Sequence, residues 1–77
     1  MDIKVLGPGC PKCKEAEKVV REAVAAAGVD ASVEKINDFQ QMMQYGVMST
    51  PAVVLDGVVK VVGRVPSKAE VLAWITR

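Results

Sequence analysis

Cys10-Pro11-Lys12-Cys13 stands after the short apolar run 3–6 and the turn Gly7-Pro8-Gly9, and it opens a helical pattern. Two thiols three positions apart at a helix start can close a disulfide within one turn. The N-terminus of a helix also carries unpaired N–H groups and the positive end of the dipole, so it favours an anion. Such settings pull a cysteine pKa down from about 8.5 into roughly the 3.5–7.5 range. Lys12 and Lys14 add positive charge nearby. Cys10 and Cys13 therefore read as a thiol–disulfide exchange pair.

The rest of the chain narrows the setting. Seventy-seven residues provide for one domain, 1–77, and the 51% apolar content suits a small, well-filled core. A net charge of +1 supplies no field for nucleic acid or an anionic membrane. Phe39, Tyr45 and Trp74 are too few aromatics for a base-stacking surface. There is no histidine, which excludes Cys–His nucleophile pairs and imidazole metal ligands within one chain. The start has no basic stretch leading into a long apolar run, and no apolar segment approaches the roughly 20 residues that span a bilayer. The expected setting is a reducing cytoplasm, where a CxxC pair is catalytic or metal-binding rather than a structural staple.

Residues 2–6 read as a buried strand. Pro11 suits a first helical turn. Ala16, Val19, Val20, Ala23, Val24 and Ala27 then recur at helical spacing until Gly28 ends the helix. Residues 31–36 read as a second strand, with Glu34 and Lys35 marking a sheet edge. Asp38 is placed to cap a short helix, with Gln41 in position for a capping box, and that helix ends near Gly46. After Ser49-Thr50-Pro51, two apolar strands flank the hairpin signal Asp56-Gly57. Gly63 and Pro66 break the second of them. Ser67 and Glu70 form a capping box before a last helix carrying Val71, Leu72, Trp74 and Ile75. The order is βαβαββα, an α/β class with a four-stranded mixed sheet and flanking helices.

This order resembles the thioredoxin fold. The likeness rests on CxxC after the first strand, Thr-Pro before the third, a hairpin and a closing helix. It covers nearly the whole chain. The run from Gly46 through Ser49-Thr50-Pro51 to Asp56-Gly57 is similar to the thioredoxin and glutaredoxin segment around the cis-proline. The size and the Gly-Pro-Gly-Cys-Pro-Lys-Cys start resemble the small redox-active disulfide proteins of archaea and bacteria.

The resemblance implies a protein disulfide oxidoreductase acting as a reductase. Cys10 would be the nucleophile and Cys13 the resolving thiol, with Pro11 and Lys12 between them. Pro51 would be cis beside the disulfide, and the Thr50 backbone would pair with an extended substrate. Gly9, Met48, Ser49 and Gly63 would line the substrate groove. The Cys10–Cys13 disulfide would serve in place of any cofactor. The implied partners are protein disulfides and a thiol or flavin reductase, met by a monomer. Three features depart from the family pattern. Gly9 stands where thioredoxins carry Trp, and Lys4 stands where they carry a buried acid. Val62-Gly63-Arg64-Val65-Pro66 replaces the Gly-Gly-acidic segment with which glutaredoxins hold glutathione.

Alternatives remain open at this point. Two thiolates could carry Cu(I) or Zn²⁺, although structural zinc normally wants four ligands. A redox sensor without turnover would use the same pair. Pro51 could also open its strand in the trans form. Lys4 could snorkel, pair across the sheet with Glu34, or raise the potential under the CxxC pair. Met48 suits an adaptable substrate surface, whereas Met42 and Met43 are expected to pack the second helix.

Overall fold

The computed structural model describes residues 1–7, 9 and 11–76. The elements are β1 (Asp2–Leu6), α1 (Pro11–Ala27), β2 (Ser32–Ile36), α2 (Phe39–Gln44), β3 (Ala52–Leu55), β4 (Val58–Val62) and α3 (Lys68–Ile75). The strands form one sheet in the order β2-β1-β3-β4. β1 runs parallel to β2 and antiparallel to β3, and β3 runs antiparallel to β4.

Side-chain alternation divides the sheet into two faces. Ile3, Val5, Val53, Leu55 and Val61 pack with Ala16, Val20 and Ala23 of α1 and Val71 and Ile75 of α3. Leu6, Ile36, Ala52 and Val54 pack on the other face with Met42 and Val47. β3 is central and covered on both sides, so all four of its residues are buried. This explains why it reads as an unbroken apolar run. Leu72 and Trp74 lie half-buried at the edge of the first cluster.

Local chemistry sets the ends of these elements. Asp56 and Gly57 both take positive φ, 48° and 83°, as a tight hairpin turn requires. The hairpin carries a bulge opposite Val53/Val54. Ser67 and Glu70 form the expected capping box. Asp38 caps α2 differently from the sequence expectation. Its carboxylate accepts from Gln40 N at 2.9 Å, with no reciprocal Gln41 bond among the described contacts. β2 starts at Ser32 rather than at 31, because the parallel ladder to β1 begins at the Asp2–Ser32 pair.

Lys4 lies across from Glu34 in the sheet register, yet its Nζ donates to Asp2 Oδ2 at 2.7 Å. Lys4 shares a face with Leu6 by alternation, but the six-residue α2 covers only part of that face. The ammonium therefore reaches solvent at 24% exposure and pairs with a carboxylate two residues away on its own strand. That hydrogen bond raises the Lys4 pKa and lowers that of Asp2.

The β4–α3 connection is held by an exposed bidentate pair. Arg64 donates from Nη1 and Nη2 to the two Glu70 carboxylate oxygens at 2.8 and 2.6 Å. The guanidinium, helped by Ser67 N, pushes the Glu70 pKa down to about 2. A carboxyl whose pKa falls on folding stabilises the native state above its unfolded pKa of about 4.3, and loses that contribution as pH falls through the folded value. Glu70→Gln should therefore lower stability in urea unfolding at pH 7, with the gap to the parent closing between about pH 5 and pH 2. An unchanged gap across that range would show that the charge of Glu70 plays no part.

Candidate active site

Three segments meet at one end of the sheet: the end of β1, the start of α1 and the loop 46–51. Cys13 is the third residue of α1, is fully buried and is disulfide-bonded. The first turn of α1 contains no acidic residue, so nothing there offsets the positive end of the helix dipole. Cys10, the other half of the motif, lies outside the described residues, as do Pro8 and Arg77.

Gly7 fixes how closely α1 approaches. It is buried at the end of β1, and its N–H donates to Ile36 O at 2.9 Å, extending the ladder to β2. A Cβ at this position would overlap Cys13 Sγ and stand 2.8 Å from Cys13 Cβ, with Thr50 Cβ at 3.8 Å. The absence of a side chain at Gly7 is what admits the buried sulfur.

The Thr50–Pro51 peptide bond is cis, and Pro51 is buried. Gly63 N donates to Pro51 O at 2.8 Å, so the loop after β4 is tied to the proline segment. Gly63 has φ 81°, and a Cβ there would press to 3.3 Å from Ser49 Cβ. Ser49, Thr50, Pro51 and Gly63 thus lie close together. Pro11 and Lys12 are exposed at the start of α1. Gly9 is half-buried with φ 90°, and its neighbour is the ammonium of Lys35.

Met48 is 96% exposed beside this cluster. It borders a groove of about 340 Å³ that also takes in Phe39, Met43, Val47 and Thr50. Met43 is 74% exposed and does not pack under α2 as expected, whereas Met42 does, at 2%. A helix of six residues has one buried stripe, and the position after Met42 falls outside it. Phe39 and Met43 stand four apart on the exposed side of α2, and that spacing is the sequence signal for their shared face. A depression of similar volume lies at the opposite end of the sheet, beside Met1, Leu55 and Trp74, away from Cys13. No helix among the described residues is long and apolar enough to cross a membrane.

A family model described as "Thioredoxin domain" matches residues 1–76. The chain belongs to the thioredoxin family. A relative named "Thioredoxin" from Methanothermobacter thermautotrophicus is 42% identical over 71 residues, covering 92% of each chain. Another, also named "Thioredoxin", from Methanocaldococcus jannaschii, is 36% identical over 69 residues, covering 90% of this chain and 79% of the relative. A "Probable Thioredoxin" from Methanothermobacter marburgensis is 39% identical over 72 residues. The mixed four-stranded sheet with flanking helices is the thioredoxin fold. Membership places the chain among the protein disulfide oxidoreductases.

Within this thioredoxin fold, Lys4 does not serve the site in the way a buried acid would. Its ammonium is bonded to Asp2 at the start of β1, while Gly7 and Cys13 meet beyond the strand's other end. The packing around Cys13 yields a direct expectation. Gly7→Ala should lower stability in urea by about 1–3 kcal/mol, the usual cost of overfilling a packed site. Adding Cys13→Ala should recover part of that loss, because the sulfur is then gone. No loss in the single variant would mean that Gly7 is not required by the approach of Cys13.

Proposed function

We propose that this chain catalyses dithiol–disulfide exchange with protein disulfides, as a reductase in a reducing, cytoplasmic setting. It acts as one thioredoxin-like domain, 1–77, and as a monomer. The observation that carries the reading is Cys13: a disulfide-bonded sulfur, fully buried at the start of α1, against Gly7 and beside Thr50. A buried sulfur suits the resolving role, since it is sheltered from outside disulfides and can react with a neighbour in its own turn.

The Cys10 thiolate attacks one sulfur of a substrate disulfide. A Cys10–substrate S–S bond forms, the substrate S–S bond breaks, and the second substrate sulfur leaves as a thiolate. Cys13 gives up its proton and attacks Cys10 Sγ. The mixed disulfide breaks, the remaining substrate sulfur leaves as a thiolate, and the Cys10–Cys13 disulfide forms. The substrate gains two electrons and the chain loses two. A partner dithiol or flavin reductase returns them, and the disulfide itself serves in place of an organic cofactor or metal. The helix start and Lys12 favour the attacking thiolate. Thr50 offers backbone to an extended substrate, and Gly9, Met48, Ser49 and Gly63 border the place where it lies.

Serine variants test these roles. With an aromatic disulfide probe at pH 7, Cys13→Ser should accumulate a stable adduct on Cys10. Cys10→Ser should react roughly a hundredfold more slowly, because its thiol is buried and lacks the activated thiolate. Equal rates for the two variants would overturn the assignment. A requirement to strip Cu(I) or Zn²⁺ before either thiol reacts would favour a metal carrier instead.

A further inference from the structure

Met43 and Met48 hold their thioethers at the rim of the groove beside Thr50, and the exchange chemistry uses neither sulfur. The end of α2 explains the placement. Gly46 turns the chain with φ 71°, and Val47 N donates back to Met42 O at 3.2 Å. That turn tucks Val47 into the core cluster with Met42, and the next residue, Met48, stands out in solvent before Ser49-Thr50-Pro51. Val47 and Pro51 are both buried, so Met48 projects from a loop anchored on either side. Of the chain's four methionines, Met48 and Met43 are the most exposed, Met1 is less so, and Met42 is buried.

An exposed thioether is open to two-electron oxidants, and oxidation turns a flexible apolar side chain into a polar one. The surroundings make that change matter. Residues 39–51 contain no charged side chain, and Phe39, Met43, Val47 and Met48 give the groove an apolar wall. A sulfoxide at Met48 sets a strong acceptor, without a partner, against an apolar group entering that groove. Cys13 does not compete for the oxidant in the disulfide state, since its sulfur is already paired and is buried.

We propose that Met48, with Met43 in the same groove, is an oxidant-sensitive modification site that regulates the docking of protein disulfides. This deepens the exchange reading and rests on it. The oxidant is hydrogen peroxide. The Met48 sulfur attacks one peroxide oxygen, an S–O bond forms and the O–O bond breaks. The sulfur loses two electrons, and the proton of the transferred oxygen passes to the leaving hydroxide, which departs as water. The sulfoxide weakens contact with an apolar segment of a protein substrate and leaves the dithiol chemistry intact. A methionine sulfoxide reductase restores the thioether.

The test treats the disulfide form with hydrogen peroxide, removes it, reduces the protein with dithiothreitol and removes that in turn. Peptide mass mapping should find Met48 and Met43 oxidised ahead of Met1, with Met42 intact. The treated protein should then reduce insulin disulfides roughly fivefold or more slower than untreated protein, as an unpaired polar group at an apolar contact predicts. Its rate with a small aromatic disulfide should not change. Treatment with methionine sulfoxide reductase should restore the insulin rate. In the double variant Met43→Leu/Met48→Leu, peroxide-treated and untreated samples should match each other in insulin reduction. Oxidation falling first on Met1 or Met42 would overturn the site. An insulin rate unaltered by the Met48 sulfoxide, in a parent active on both disulfides, would overturn its regulatory role and leave the exchange reading standing. A parent that reduces neither disulfide would remove both.

Discussion

The approach of α1 to the end of β1 is the constraint on which this end of the molecule depends. Gly7 leaves room for a sulfur where any other residue would place a carbon. Cys13 fills that room, and Thr50 closes it from the loop before β3. The proline segment is tied in turn to Gly63 through Pro51 O. Segments distant in sequence thus converge on one buried sulfur, and the convergence is made by backbone proximity rather than by charged side chains.

The sheet makes that convergence rigid. β1 and β3 are the central strands, with α1 and α3 packed on one face and α2 on the other. The loops that carry the motif and the Thr50–Pro51 bond leave from the same end of these two strands, since β1 and β3 pair with Leu6 opposite Ala52. In a small chain with a limited core, the junction of a buried strand and a long helix secures the position of Cys13. The exposed Phe39, Met43 and Met48 lie at the same end.

Features written in local chemistry were legible in the sequence. Asp56-Gly57 specified a hairpin because two successive positive φ values suit those residue types, and Ser67 with Glu70 specified a helix start because two side chains satisfy each other's backbone donors. The apolar spacing of α1 gave its buried stripe. Features decided by contacts between distant segments were not legible. Gly7 read as part of a turn, and only the fold reveals that it faces Cys13. Lys4 has Glu34 across the sheet and Asp2 along its own strand, and position alone could not choose between them. Met42 and Met43 are neighbours of the same type, yet one is buried and the other exposed, because α2 is too short to bury more than one stripe. Lys35 marked a sheet edge correctly, while its proximity to Gly9 required the third dimension.

The equilibrium reduction potential of the Cys10/Cys13 pair tests the central claim most directly. The protein is poised in a series of thiol–disulfide buffers and trapped by alkylation for mass readout. The account predicts one two-electron transition, in the range of about −200 to −270 mV where cytosolic exchange proteins lie. A pair that stays oxidised below about −300 mV, as structural disulfides do, would contradict it. So would a pair that forms no disulfide until bound metal is removed.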